Sequence, residues 1–546
     1  MILRSQKVLT MDDDGRTARA VRVEADRIVA VHGESDRQPA DQGEPVFDFG
    51  DRPVIPGFVD VHAHYEVAAR AHHSSVDVRA PACGTIPEVL EVLREAARQS
   101  SEGWVVGQGN LFFDQKLAEG RLPTREELDS VSTDLAIALR AGGHITVLNS
   151  TALERSGIDE SYAPPQGSVT GQPIVEREGA RPTGVVKEMD NLLPLPKLDR
   201  AGLRDALRDG AMDLFTRNGV TTVGEITESV DGLRAMDELA LRGELPVRVA
   251  AYQWVPGTMS LDAATSREHE FAASSDHLSL NGVKIFADGG FTASSAAVKR
   301  PYARDPESYG TLAVERDYVA EVAARASEAG LQLAIHANGE RAQELVCDAL
   351  VRAADNGPLS RPPRIEHAGN FLPDLALTDR WREAGIIPVP QPVFIFAIGN
   401  YLPSYVGDYG RHGQFPFRTL IDRGWQLSGS SDVWIGSERS QTRPMFSIWC
   451  CVERRGYSGD VIEPEQAITV EEALWMHTRG GALVLGQDDD KGSITPGKLA
   501  DLVVLAEDPR EVAPSSLAEI EVDYVFLGGR LIYERAGAAK PEGARA

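Results

Sequence analysis

An apolar run ends in two histidines one residue apart: Val54-Ile55-Pro56-Gly57-Phe58-Val59-Asp60-Val61-His62-Ala63-His64. On a strand, positions i and i+2 point to the same side, so the two imidazoles project together, as a metal site requires. A pair of surface or core histidines is the alternative. The neighbouring His72-His73 would diverge on a strand and is not expected to ligate. Three further candidate ligands close short runs: His336 after Leu331-Gln332-Leu333-Ala334-Ile335, His367 after Arg364-Ile365-Glu366, and Asp432 after Leu427-Ser428-Gly429-Ser430-Ser431. Histidines placed at random would not gather at this boundary. Four histidines and a carboxylate suit Zn2+ or a similar divalent ion.

Lys284 completes the set. Only nine of the 56 Lys+Arg residues are lysine, and this one lies inside the apolar run Asn281-Gly282-Val283-Lys284-Ile285-Phe286-Ala287-Asp288. A protonated lysine in an interior beside a divalent cation is unfavourable, so its pKa should fall. A neutral amine can add CO2 and become an anionic carbamate able to bridge two metals. The alternative is a lysine paired with Asp288 or snorkelling to solvent.

The candidate ligands need a scaffold that brings strand ends together. Eight short apolar runs alternate with helical stretches: Val54–His64, Val220–Ile226, Val247–Trp254, Val283–Asp288, Leu331–His336, Arg364–His367, Ile386–Gln391 and Gln426–Asp432. This pattern predicts an α/β fold, a (β/α)8 TIM-like barrel with its site at the C-terminal strand ends. An open doubly wound sheet is the runner-up, but no Gly-rich phosphate fingerprint follows the first strand. Both chain ends read as strands, and neither is long enough to bury a core alone. They predict one small composite β domain, a β-sandwich, from 1–54 and 481–546. The barrel would take 55–80 and 198–480. Residues 81–197 would form an insertion after the first barrel strand, over the catalytic face, with a helix over Pro87–Arg98 and a Pro/Gly-rich stretch, Pro164–Gly171.

Composition narrows the partners. The 546 residues carry a formal charge of -26, which opposes binding to nucleic acid or anionic membrane. No run of about 18 apolar residues occurs, so no membrane span is expected. The N-terminus lacks a signal-peptide core, and four cysteines are too few to staple the chain, so a reducing cytoplasm is the default reading. The expected partner is a small-molecule substrate; a homodimer is compatible with the sequence.

The motifs Pro56–His64, Val283–Gly289, His336-Ala337-Asn338-Gly339-Glu340-Arg341-Ala342, Arg364–Ala368 and Ser430-Ser431-Asp432 resemble the metal-dependent amidohydrolase superfamily. More narrowly they resemble amidohydrolase family 3, the YtcJ-like proteins and N-substituted formamide deformylases. Gly143-His144, Asn149-Ser150, Pro182-Thr183-Gly184-Val185 with Glu188, Phe415-Pro416-Phe417-Arg418 and the stretch Gly492–Asp501 extend the resemblance over nearly the whole chain. It implies that His62 and His64 hold the more buried metal with Asp432, and that Lys284, as a carbamate, bridges to a second metal on His336 and His367. The family commonly has Ile or Val at the position of Asn338, Asp at that of Glu340, and a small residue and Pro where Val433-Trp434-Ile435 stands. Trp434 would narrow the pocket.

These ligands imply hydrolysis of an amide-type C–N bond, in an N-formyl or N-acyl amine or a cyclic amide, by metal-activated hydroxide. Asp432 would be the general base and then the acid toward the leaving amine. His144 would donate to the carbonyl oxygen, with a structural histidine as the alternative. Trp254, Phe291, Gln391 and Trp434 are candidate substrate contacts. The rivals are a mononuclear zinc deaminase of an aminated heterocycle, which would not need Lys284, a metal-dependent decarboxylase or isomerase, and a non-catalytic scaffold.

Overall fold

Gly57 divides the first apolar run between two sheets. A Cβ there would lie 2.1 Å from Thr221 Oγ1, so only glycine lets the chain pass. Before it, Val54–Pro56 pairs with the terminal strands; after it, Phe58–Ala63 enters a parallel sheet. The computed structural model describes residues 1–541 apart from 34–35, 37–42, 101–102, 166–171, 268–269 and 356. Most of the Pro/Gly-rich stretch therefore lies outside the described residues.

The parallel sheet has seven strands: β1 (Phe58–Ala63), β2 (Val220–Thr227), β3 (Arg248–Trp254), β4 (Leu278–Phe286), β5 (Gln332–His336), β6 (Arg364–Glu366) and β7 (Ile387–Val389). Each pairs with its neighbours in chain order. A doubly wound sheet would reverse that order at a switch point, so the runner-up architecture is not what the chain forms. The strands are buried along nearly their whole length, as a parallel sheet covered on both faces requires. Register aligns the strand ends: Trp254 opposes Lys284, Phe286 opposes His336, and His336 opposes Glu366.

The eighth expected strand, Gln426–Asp432, forms no ladder. Its backbone instead runs beside β1, with Asp432 N donating to His62 O at 2.8 Å and His64 N donating to Val433 O at 2.9 Å. Toward β7, Ser430 Oγ donates to Pro390 O at 2.9 Å. The physical reason is tertiary. A Cβ on Gly429 would meet the His477 ring at 2.2 Å, and Asp432 adopts φ 47°, which breaks an extended run.

The termini share one eight-stranded sheet, with Ile2–Leu9, Thr17–Glu24, Arg27–Gly33, Val46–Asp48 and Val54–Pro56 joined to Leu502–Leu505, Val522–Leu527 and Arg530–Glu534. Hydrogen bonding connects them as one continuous sheet, whose two ends also meet where Phe47 contacts Phe526 at 5.6 Å between ring centroids. Leu3, Val21, Ile28, Val54, Leu502 and Phe526 form its core. It is anchored to the start of β3 by Arg248, whose Nε lies 2.7 Å from Asp501, so it sits at the end of the parallel sheet opposite the ligands.

A third sheet of six strands runs from Val76–Asp77 to Arg181–Lys187. It starts ahead of the expected boundary at 81, and it follows the helix Tyr65–Ser74 rather than β1 itself. The expected helix is present as Ile86–Gln99, opened by a capping box between Thr85 and Glu88. Its apolar face, Ile86, Val89 and Leu93, packs on Val105, Ile137 and Leu139 of the sheet. Among the described residues, no helix is long and apolar enough to cross a membrane.

Candidate metal centre

The backbone brings the expected ligands to one end of the parallel sheet. His62 lies on β1, with His64 just beyond it; Lys284 lies on β4, His336 closes β5 and His367 follows β6. His367 (φ 72°) and Asp432 (φ 47°) both occupy the left-handed region, which is costly for residues with a side chain and is retained where function over-determines the backbone. Ligand atoms of His62, His64 and Asp432 all lie within 4.8 Å of one another. His62 Nε2 is 3.3 Å and His64 Nε2 3.5 Å from Asp432 Oδ1.

Three histidines are held by their second ring nitrogen. His62 Nδ1 bonds Glu366 Oε2, His64 Nδ1 meets Glu228 Oε1 at 2.8 Å, and His367 Nδ1 meets Gln391 Oε1 at 2.7 Å. An acceptor on Nδ1 assigns the proton there and leaves the Nε2 lone pair facing inward, the arrangement that orients metal-ligating imidazoles. His336 turns Nδ1 inward, 3.1 Å from His367 Nε2, while Asn338 and Gly289 O flank its Nε2. Glu366 is itself backed by Arg364, whose Nε lies 2.6 Å from Glu366 Oε1.

Lys284 is fully buried, and its Nζ has no hydrogen-bond partner; nor does His62 Nε2. Asp288, offered as its alternative partner, instead accepts from the backbone N–H groups of Ala297, Asn338 and Gly339. Unsatisfied buried donors are costly. With five inward-facing ligands around it, this orphaned amine fits a site made for a cation and a charged lysine derivative.

The electrostatics agree. Burial lowers Lys284 to about 8, with Glu366 and Asp432 opposing. Burial lowers His64 to about 4 and His367 to about 3, and holds His62 and His336 well below the usual imidazole range. The histidines are therefore neutral and able to ligate at any ordinary pH. Asp432 is pushed up to about 6 by burial, and His64 and Lys284 pull it back. For His144, burial favours the neutral ring, but Glu188 outweighs it and leaves the pKa above its ordinary value.

A pocket opens over these groups. His64, His336, His367 and Asp432 form its floor, and His144 faces it from the insertion. Its walls are largely apolar: Leu111 and Phe112 from the insertion, Phe286, Phe291, Phe394 and Ile398, and Trp434 with Ile435 beyond Asp432. Trp434 stacks on the His64 ring at 5.2 Å between centroids and meets the His144 ring edge-on at 5.6 Å. Of the four expected substrate contacts, Phe291 and Trp434 line the pocket. Trp254 does not, because it is buried against Phe286, and Gln391 is spent behind His367. His72 lies on the helix after β1 and faces Asp213.

Sequence reasoning missed Glu228, Glu366 and Gln391 as the groups that aim the histidines. Glu366 precedes His367 and Glu228 follows β2 directly, so a carboxylate at a strand end was the available signal.

A family model for the amidohydrolase family matches residues 46–533. Over 98% of its length the chain is 30% identical to the N-substituted formamide deformylase of Arthrobacter pascens, 99% of which is covered. It is 26% identical to the putative amidohydrolase YtcJ of Bacillus subtilis (strain 168), over 97% of this chain and 98% of that one. An uncharacterised metal-dependent hydrolase from Pyrococcus horikoshii OT3 shares the fold, with a TM-score of 0.73 at 22% identity, covering 94% of this chain and 99% of that one. The chain belongs to the amidohydrolase family and is a metal-dependent hydrolase acting on carbon–nitrogen bonds.

Proposed function

We propose that the protein hydrolyses an amide-type C–N bond in an N-formyl or N-acyl amine or a cyclic amide. The observation that carries this reading is the set of neutral histidines aimed inward by buried Glu and Gln side chains around an unpartnered lysine amine. His62, His64 and Asp432 would hold one divalent ion and His336 with His367 a second, with Lys284 bridging as a carbamate. Neutral imidazoles and carboxylates suit zinc. A bound divalent cation lowers the pKa of water to about 7 and polarises a carbonyl oxygen.

The chain's own residues do the remaining work. The Asp432 carboxylate accepts the proton of the attacking water and returns it to the leaving nitrogen. His144 Nε2, facing the pocket, donates to the carbonyl oxygen. Leu111, Phe112, Phe291 and Trp434 take the apolar part of the substrate and exclude bulk water. The resemblance to a formamide deformylase over 98% of the chain favours an N-formyl amine.

In this reading the run Gln426–Asp432 closes the parallel sheet as the eighth stave of a (β/α)8 barrel, between the terminal domain (1–54, 481–546) and the insertion, whose sheet begins at Val76. One observation favours a second reading: His62, His64 and Asp432 alone form a compact three-ligand group, which suits a single zinc and a deaminase. Screening N-formyl, N-acetyl and cyclic amides and aminated heterocycles with zinc-loaded protein tests the two. Formation of an amine and formate or another acid, or of a single ring-opened amino acid from a cyclic amide, supports hydrolysis of an amide; ammonia release from a heterocycle supports the second.

A further inference from the structure

His144 comes from a tight turn of the insertion, where Gly142 (φ 70°) and Gly143 (φ 78°) take left-handed conformations between the strands Ala136–Ala141 and Ile145–Leu148. Its Nδ1 lies 3.2 Å from both carboxylate oxygens of Glu188. The two residues are also joined through the backbone, Glu188 N donating to His144 O at 2.9 Å. Glu188 is 2% exposed and sits at φ 51°, a strained conformation for a residue with a side chain. Ser295 Oγ, from the loop after β4, lies 3.4 Å from Glu188 Oε1.

The other end of the ring faces space that is kept open. Gly290 has no positive φ to explain it, yet a Cβ there would lie 3.1 Å from His144 Nε2. Trp434 meets the same ring edge-on and fixes its tilt. Glu188 and, farther off, Asp432 and Asp190 are the charged groups acting on it.

We infer that Glu188 is the positioning residue for His144, holding Nδ1–H so that Nε2 addresses the carbonyl oxygen of a bound amide. The inference rests on the role given to His144 above. A carboxylate on the far nitrogen orients an imidazole and stabilises its charged form, as in other His–carboxylate pairs. Gly290 keeps the approach to Nε2 clear, and the strain at Glu188 is retained because the pair sets the ring's position.

A double-mutant cycle tests it, with zinc-loaded enzyme and N-benzylformamide as the probe. Glu188→Gln and His144→Asn should each lower kcat about 10- to 100-fold with KM and zinc content little changed. The double variant should lose no more than either single one, because Glu188 acts only through His144. Glu188→Asp, which keeps the charge, should recover part of the loss and guards against a folding defect. Multiplying losses, or a normal Glu188→Gln beside an impaired His144→Asn, would overturn the inference and leave His144 in place. An unimpaired His144→Asn would overturn both, and no turnover by the unaltered enzyme would count against the proposed substrate class.

Discussion

His336 Nδ1 and His367 Nε2 face each other at 3.1 Å, both on rings that burial keeps neutral. Because His367 Nδ1 is engaged by Gln391, the His367 lone pair must point at His336. Without a cation, His336 lends its proton across this gap; with one, both lone pairs are free to bind it. Removal of either ring should therefore cost metal before it costs fold. His336→Asn or His367→Asn should reduce zinc from about two to about one per chain by elemental analysis, with the melting temperature of the metal-free protein little changed.

The buried groups behind the ligands carry a separate expectation. Glu366→Gln and Glu228→Gln leave the first-contact atoms in place but weaken what aims His62 and His64. Changes of this type cost about 10- to 100-fold in metal affinity. Competition with a chelator should show that loss; unchanged affinity would mean the carboxylates do not orient the rings.

Lys284→Ala removes the orphaned amine. The bridged reading predicts loss of one zinc and most activity, and electron density in metal-replete unaltered protein should show a carboxyl extension on Nζ. A fully active, singly loaded Lys284→Ala would favour the mononuclear reading instead.

The pH dependence of the metal-free protein follows from its buried acids. Burial pushes Glu228 up to about 8 and Asp60, Asp288 and Glu66 up to about 7. Each binds its proton more tightly folded than unfolded, so the stability it contributes is present below the unfolded pKa, near 4, and is lost as pH rises through 7–8. His64 and His367, lowered to about 4 and 3, lose stability in the opposite direction, but only below pH 6.5. From pH 6.5 to about 7, below the range where Lys284 and Lys491, lowered to about 8, release their protons and act in the opposite sense, the urea midpoint of metal-free protein should fall. A rise over that interval would contradict the burial of these carboxylates.

Much of the site is legible in sequence because ligands on a parallel sheet must sit at strand ends. His62, His64, His336 and His367 each close an apolar run, and Lys284 stands out as a rare lysine inside one. The partners are less legible, since they depend on which strands meet. Glu366 reaches His62 across the site, and the Glu366–His336 register is set by β5 and β6. The eighth run, Gln426–Asp432, forms no ladder for a similar reason. Its length and polarity suit a strand, but the crowding of Gly429 by His477 and the left-handed Asp432 are tertiary facts. Trp254 and Gln391 look like pocket residues by position, and packing turns them elsewhere.

In the proposed reaction Asp432 moves the proton of a metal-dependent hydrolysis. Amine release from N-benzylformamide should be compared in zinc-loaded protein, metal-stripped protein and zinc-loaded Asp432→Asn, with zinc content measured in each. Stripped protein should be inactive, and Asp432→Asn should keep zinc yet lose turnover by about 10²- to 10⁴-fold, the usual range for a general base. Near-normal turnover by Asp432→Asn with zinc bound would remove Asp432 as the base, and turnover by stripped protein would remove the metal from the reaction.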